Sequence, residues 1–191
     1  MAVQIPWGNN WPMTVSYVTM CLGFVLIGQY VSQEHGVEHE FGRRPLYDVV
    51  HAHLPDVSPY YWVNDVMVLF PLVRFWHIGQ DLQQFLFSAL LALTARAFTL
   101  MVTSQPTCTP QCFHDAGSFP LHTCFDFLYS GHTVSITVAS IGIIKDTTPW
   151  PSEKVFWFAY APFCALWISM SRQHYTADTM LALLVGSLLC F

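Results

Sequence analysis

Residues 171–178 read SRQHYTAD, which places a cation, an imidazole, hydroxyl groups and a carboxylate directly before the uncharged run that ends the chain. His174 and Asp178 are four residues apart, so a helix would stack them on one face, within reach of each other. A carboxylate held against one imidazole nitrogen fixes the tautomer and leaves the other nitrogen free to attack or to accept a proton. The spacing therefore indicates an activated histidine at the start of a terminal helix.

A second polar cluster lies upstream, where residues 124–133 read CFDFLYSGHT. His132 supplies a second imidazole, and Gly131 would let a bound group approach the backbone closely. Two histidines and a carboxylate suit phosphoryl transfer through a phosphohistidine, because one histidine can attack phosphorus while the other protonates the leaving oxygen. Asp126 would either cap the helix that follows or assist His132.

The composition indicates a polytopic membrane protein. Of the 191 residues, 53% are hydrophobic and only 10% are charged, whereas soluble domains carry about 25% charged residues. Residues 1–33 contain no charge, and their apolar run is too long for a signal peptide and lacks a basic lead. The net charge of −5 and the lack of a basic patch argue against nucleic-acid binding.

Apolar runs of membrane-spanning length predict an all-α bundle of six transmembrane helices in one domain, residues 1–191. The predicted spans are about 13–31, 57–76, 82–103, 127–144, 155–170 and 175–191. Because spans alternate in direction, His132 and His174 then start two helices at the same membrane face. Arg96 lies within the third span, roughly 10 Å from that face at 1.5 Å per residue. Ionisable groups at such depth normally face a bundle interior or a wet cavity.

Two arginines are candidate phosphate ligands, since the guanidinium fork suits a transferring phosphate. Arg96 would either do this or pair with Asp65, which lies near the matching end of the second span. Arg172 would bind the transferring phosphate or a lipid phosphate at the rim. The predicted phosphate-binding set is Arg96, Arg172, Ser130 and Gly131, and the supporting set is Asp126, Tyr175 and Thr176.

The remaining histidines and the cysteines show no common metal-binding pattern, and neither a metal nor another cofactor is predicted. One loop holds Cys108, Cys112, Cys124, His114 and His122. Their spacing fits no usual zinc motif, and a disulfide is the expected alternative if the loop faces an oxidising lumen. Packing roles are expected for the cysteines in spans, Cys21, Cys164 and Cys190. Four histidines before the second span are expected to be solvated: His35, His39, His51 and His53.

Both polar clusters resemble motifs of the sphingomyelin synthase family, within the wider lipid phosphatase/phosphotransferase superfamily. Residues 124–133 are similar to the family motif C-G-D-x-x-x-S-G-H-T, and residues 174–178 are similar to its motif H-Y-T-x-D. Further similarity lies in residues 44–56, which resemble a Pro-Leu-rich segment, and in residues 96–106. The resemblance covers about residues 43–190.

This resemblance implies six spans and transfer of a phospho-head group, such as phosphocholine, from a glycerophospholipid to ceramide. His174 would be the nucleophile, Asp178 its orienter, and His132 the acid or base at the leaving or accepting oxygen. The implied partners are membrane phospholipid and ceramide or diacylglycerol, and the implied location is the Golgi or plasma membrane. Homo-oligomers and membership of a larger membrane complex both stay open.

Three alternatives remain, since Phe125 replaces the motif glycine and Leu183 stands where the family has a tyrosine. Related plant-type phosphatidylcholine:diacylglycerol cholinephosphotransferases would use diacylglycerol as acceptor, and a lipid phosphate phosphatase would use water. The phosphatases usually place an arginine six residues before the nucleophilic histidine, whereas Arg172 is two before His174, which favours the synthase branch. The third alternative is a non-catalytic subunit of a larger assembly, against which the intact histidine and aspartate set argues.

Overall fold

The computed structural model describes residues 10–39, 44–78, 82–101, 103, 105–106 and 130–190. These ranges are mostly helical and contain no strand, so the all-α prediction is confirmed for the described part of the chain. The helices are α1 (Trp11–His39), α2 (Val49–His53), α3 (Val63–His77), α4 (Leu82–Leu100), α5 (Gly131–Lys145), α6 (Pro151–Met170) and α7 (Thr176–Cys190), with a 3₁₀ turn at Ser58–Tyr60.

Helix α5 forms the centre of the bundle and packs against α3, α4, α6 and α7. Its buried residues are Thr133, Val134, Ile136, Thr137, Val138, Ala139, Ser140 and Ile143. Because so many consecutive residues are buried, the helix needs apolar or small side chains on all sides rather than along one stripe. Helix α1 lies outside this group and packs mainly against α4.

Glycines bring the neighbours of α5 close to it. A Cβ atom at Gly186 of α7 would lie 2.9 Å from the Thr137 Cβ, and a Cβ at Gly142 would lie 2.5 Å from the ring of Phe75 on α3. The C-terminal end of α5 also meets that of α7, where Lys145 donates a hydrogen bond to the Cys190 carbonyl. Helices α3, α5 and α7 therefore run in the same direction, and their N-terminal ends lie at one end of the bundle.

Helix α1 is the one helix in the described ranges whose length and apolar composition suffice to cross a membrane, over Trp11–Glu34. Helix α7 is apolar but shorter. Six helices overlap the six predicted spans, yet six spans stay a prediction. Large apolar side chains are exposed on the outer faces of the helices, among them Leu69, Val73, Phe158 and Leu184. Such surfaces are typical of contact with lipid or with a protein partner.

Candidate active site

His174 ends the turn between α6 and α7, and only 7% of its surface is exposed. Its Nδ1 lies 3.8 Å from Asp178 Oδ2, which is too long for a hydrogen bond and is an ion pair only when the imidazole is protonated. The same carboxylate oxygen accepts a 2.9 Å hydrogen bond from the Tyr175 amide. Asp178 thus caps its own helix, as the third helical residue does in a capping box, while its carboxylate stays beside the imidazole.

His132 lies in the first turn of α5, which is capped by Ser130. The Ser130 hydroxyl accepts a 3.2 Å hydrogen bond from the Thr133 amide and so satisfies one free donor of the helix start. His132 Nε2 lies 2.9 Å from Asp65 Oδ1, in the first turn of α3. A pair between Arg96 and Asp65 is one of the two roles that the sequence leaves open for Arg96. In the structure the Asp65 carboxylate contacts His132, because α3 and α5 pack in parallel with their starts together.

Arg96 comes from the last turns of α4 and is 7% exposed. A Cβ built at Gly131 would lie 3.7 Å from a terminal nitrogen of its guanidinium, so the cation lies against the start of α5. Arg96 also interacts electrostatically with Asp178, at the start of α7. The structure therefore brings Arg96 between the two helix ends that carry the predicted histidines.

Arg172 lies in the α6–α7 turn with φ at 59°, a left-handed conformation that few residues other than glycine adopt. Its Nε is 3.8 Å from Asp56 Oδ2, in the segment before α3. Burial raises the pKa of the Asp56 carboxyl, but hydrogen bonds from Ser58 and the charge of Arg172 outweigh this and hold the pKa below its usual range. Arg172 is thus positioned by a carboxylate at the rim of the site, and its contact with phosphate stays a prediction.

Asp48 is a residue of this site that sequence reasoning missed. Its Oδ2 accepts a 2.6 Å hydrogen bond from the Thr176 amide, and its Oδ1 accepts a 2.7 Å bond from the Thr176 hydroxyl. Oδ1 also accepts from the amides of Val50 and His51, which caps α2. Burial raises the pKa of the Asp48 carboxyl, but the hydrogen bonds from Thr176 and His51 hold it below its usual range. One carboxylate therefore caps both α2 and α7.

His51 is half-buried, so its expected solvation is wrong. Its Nε2 lies 3.0 Å from the Ser169 carbonyl oxygen and 3.1 Å from that of His174. Carbonyl oxygens only accept, so Nε2 must carry the hydrogen. The ring also stacks on Tyr175 at 5.8 Å between centroids. His53, on the same helix, is exposed as expected, and the side chains of residues 35 and 39 lie outside the described ones.

Two further buried side chains tie neighbouring segments to the α6–α7 turn. The Tyr175 hydroxyl donates to the Pro106 carbonyl at 2.9 Å and accepts from the Leu46 amide at 3.0 Å. Asn64, which was also missed, is 1% exposed. Its amide donates to Ser171 Oγ at 3.0 Å and to Gln173 Oε1 at 2.5 Å. Asparagine just inside a helix start is too common a pattern for the sequence to single out Asn64.

Within the described ranges, no group of three or more histidine, cysteine or acidic side chains could hold a metal ion. Cys21 and Cys164 are buried and free, in keeping with the expected packing role, and Cys190 is partly buried and free. Asp126 and the loop with Cys108, Cys112, Cys124, His114 and His122 lie outside the described residues.

Comparison with known protein families adds one match. Residues 123–191 match the family model for the C-terminal part of the PAP2 superfamily. This segment contains His132, His174 and Asp178, and the match supports a place for the chain in the lipid phosphatase/phosphotransferase superfamily. PAP2 members are phosphoryl-transfer or hydrolysis enzymes, and the family together with the apolar α1 indicates association with membranes. A search of curated proteins found no match.

Proposed function

We propose that this chain, with its PAP2-type C-terminal segment, is a sphingomyelin synthase-like phosphotransferase. It would move a phospho-head group, such as phosphocholine, from a glycerophospholipid to ceramide. The match over residues 123–191 supports the reaction class, and the resemblance of both histidine clusters to synthase motifs supports the branch. The observation that carries the proposal is that two histidine–carboxylate pairs lie at helix starts at one end of the bundle, beside the buried Arg96.

In the first half-reaction His174 attacks the phosphorus of the donor. Its Nδ1 lies beside Asp178, which leaves Nε2 as the attacking nitrogen. The N–P bond forms, and the bond from phosphorus to the diacylglycerol oxygen breaks. A protonated His132 gives its proton to that leaving oxygen, while Asp178 stabilises the positive charge on the phosphorylated imidazole.

In the second half-reaction the primary hydroxyl of ceramide attacks the phosphohistidine. His132, now neutral, takes the hydroxyl proton, the new O–P bond forms and the N–P bond breaks. His174 returns to its neutral state, and His132 is again protonated. Asp65, 2.9 Å from His132 Nε2, stabilises this protonated form in both half-reactions. Over the whole cycle the phospho-head group moves from diacylglycerol to ceramide by way of His174, one proton moves from ceramide to diacylglycerol by way of His132, and both histidines return to their starting states.

Arg96 supplies the main fixed positive charge for the phosphate oxygens, with Arg172 at the rim. Buried donors aimed at developing negative charge stabilise a phosphoryl transition state without a metal ion. We therefore expect head-group transfer to persist in EDTA. Reproducible loss with EDTA and rescue by zinc or magnesium would instead favour a ligand role for the loop of cysteines and histidines.

The proposal includes six spans, with the site at one membrane interface where both lipids enter from the side. Golgi and plasma membranes are the proposed locations, on the basis of the resemblance to the sphingomyelin synthase family. Exposed apolar side chains on the outer helix faces are consistent with this arrangement. Labelling of single introduced cysteines in sealed vesicles, with a reagent that does not cross the membrane, would test it. Position 132 is at the start of α5 and position 150 is just before α6, so the proposal places them on opposite sides of the membrane. Equal labelling of the two positions from the same side would contradict it.

The activity test uses the purified full chain in vesicles that contain phosphatidylcholine labelled in its head group. Separate arms contain ceramide, diacylglycerol labelled differently from the donor, or no added acceptor, and mass spectrometry identifies the products. A phosphosphingolipid supports the proposal. Label in new phosphatidylcholine only, or in free phosphocholine only, would replace it by the diacylglycerol-dependent transferase or the hydrolase. No product in any arm would favour a non-catalytic subunit.

A further inference from the structure

The segment before α3 contacts the backbone at and just after His174, the predicted nucleophile, from a part of the chain that is distant in sequence. Asp48 binds the amide and the hydroxyl of Thr176, the first residue of α7. His51, three residues later, places its Nε2 within 3.0 to 3.1 Å of two carbonyl oxygens, those of Ser169 and His174. These contacts reach the carbonyl of His174 itself and, two residues later, the amide and hydroxyl of Thr176.

We propose that Asp48 and His51 are positioning residues that hold the backbone of His174 so that its imidazole meets the donor phosphorus. This inference rests on the proposed function, but its geometric part can be tested without activity. Neither side chain touches the reacting atoms, so both act through the backbone of residues 174–176. Misplacement of a reacting group by about 1 Å can lower a rate by about 10²-fold, so such contacts have a large effect on kcat.

A structural cap alone would not require this arrangement. Helix α7 already has a carboxylate at its start, since Asp178 accepts a hydrogen bond from the Tyr175 amide. The second carboxylate, Asp48, comes from residues 44–48, a segment distant in sequence, and it binds Thr176 rather than the Tyr175 amide. The ring of His51 stacks on Tyr175 as well, so three consecutive residues, 174 to 176, at the junction of the turn and α7 contact α2 and its cap.

The two caps of α7 are therefore distinct. Asp178 binds the Tyr175 amide from within the helix, whereas Asp48 binds the Thr176 amide and hydroxyl from a separate segment. Loss of Asp48 would leave the helix capped but would free the turn on the side of α2. This difference is what makes Asp48 a candidate for positioning rather than for helix formation.

The first experiment compares Asp48→Asn with Asp146→Asn. Asp146 accepts from the amide and the hydroxyl of Thr148, at 2.6 and 2.5 Å, in the turn after α5 at the other end of the bundle. It is a matched control, because at both sites an aspartate carboxylate accepts from the amide and the hydroxyl of a threonine, and the substitution replaces that carboxylate by a neutral amide. We expect Asp48→Asn to lower kcat by about 10²-fold, with the KM for the phospholipid donor nearly unchanged. Asp146→Asn should leave kcat within about twofold of the wild type, since its site is far from the chemistry.

The second experiment uses conservative variants of His51. His51→Gln retains an N–H donor for the two carbonyl oxygens, and His51→Phe retains the ring that stacks on Tyr175 but has no donor. We expect His51→Gln to keep most of the kcat and His51→Phe to lose it. His53→Phe, on the exposed face of the same helix, is the control and should have no effect.

Hydrogen exchange separates this inference from the proposed function. Asp48→Asn should speed exchange of the amides in residues 174–177 and leave those of the Asp146 turn unchanged, whether or not the chain transfers a head group. If Asp48→Asn exchanges faster but the wild-type chain transfers no head group, the role of Asp48 in fixing this backbone is supported and the proposed function is overturned. Unchanged exchange, or an equal kcat for Asp48→Asn and Asp146→Asn in an active enzyme, would overturn the positioning role.

Discussion

The two histidines of the candidate site are held in different ways. The side chains of His174 and Asp178 are 10% and 4% exposed, whereas those of His132 and Asp65 are 35% and 71% exposed. Around His174, contacts come from α2, α3 and α7, while the described contact of the His132 ring is with one carboxylate at the rim. One imidazole is therefore enclosed by the fold, and the other is partly exposed.

This difference suits the two proposed roles. A nucleophile must meet phosphorus in one geometry, and burial among fixed donors provides that geometry before substrate arrives. A proton shuttle must serve two oxygens in turn, first of diacylglycerol and then of the acceptor, and an exposed ring has room for both. Under the proposed roles, packing rather than residue type distinguishes these two like side chains.

The largest effect is expected from His174→Ala. Loss of the nucleophile removes the covalent route, so both diacylglycerol release and head-group transfer should fall to background. Release of labelled diacylglycerol from vesicles measures this directly. If His174→Ala releases diacylglycerol at the normal rate, another residue is the nucleophile and the enclosed site has a structural role.

A smaller but still large effect is expected from His132→Ala, about 10²–10⁴-fold in kcat, as is typical for general acid–base catalysis. A donor with a good leaving group needs less proton transfer, so a nitrophenyl phosphodiester should partly rescue this variant. It should not rescue His174→Ala, and Asp178→Asn should be impaired with either donor. Equal rescue of both histidine variants, or of neither, would contradict the division of roles.

Two adjacent residues of α3 allow the surroundings of His174 and His132 to be compared by their effects on stability. Asn64 contacts the turn that leads to His174, whereas Asp65 contacts His132. Asn64→Ala should cost about 1–3 kcal/mol, because it removes the two hydrogen bonds that this buried side chain donates to the turn. Asp65→Ala should cost less than about 1 kcal/mol, as for an exposed ion pair. Thermal unfolding in one detergent measures both variants. Equal shifts in Tm would show that the contacts of Asn64 near His174 and the contact of Asp65 with His132 stabilise the fold equally.

Acid should lower the stability of the segment around His174 through protonation of Asp48. Its pKa is lowered in the folded state, so the unfolded chain binds the proton more readily, and the stabilisation is lost as pH falls from the ordinary aspartate range through the folded pKa. The ionisable groups that interact with it are His51 and, more remotely, Asp178. Unfolding followed from pH 5 downward should show a shallower loss for Asp48→Asn than for the wild type. An identical slope would mean that the Thr176 contacts add no acid sensitivity.

The smallest effect is expected from Asp65→Asn. An exposed ion pair contributes about 0–1 kcal/mol, which corresponds to at most about a fivefold change in kcat. The effect should shrink further as salt rises from low ionic strength, since exposed charges are screened. Steady-state transfer at two salt concentrations measures it. A loss of kcat as large as that of His132→Ala would show that the pair of His132 and Asp65 contributes as much as a buried ion pair.

Several features could be predicted from local sequence alone. Low charge and long apolar runs predict helices, because a helix satisfies the backbone hydrogen bonds of such a run within the run itself. The spacing of four residues places Asp178 close to His174, although His174 lies in the turn before α7 rather than within it, and Ser130, which was expected to bind phosphate, caps α5 in the structure. These contacts are local, so periodicity and capping rules are sufficient for them.

Other features were decided by the tertiary structure. The partner of Thr176 is 128 residues away, at Asp48, and the partner of His132 is 67 residues away, at Asp65. His51 has the composition of a solvated loop histidine, but the packing of α2 against α6 places its ring on two carbonyl oxygens. Such pairings depend on which helices lie side by side and in which direction, and no spacing rule along the chain contains that information.

The sequence by itself therefore determined the helical class, the two histidine clusters and the local His174–Asp178 contact, because each depends on residues within one or two turns of each other. The tertiary structure decided which carboxylate serves which histidine, and that one imidazole is enclosed while the other is open. The physical reason is that burial and long-range hydrogen bonds arise only when separate helices pack together.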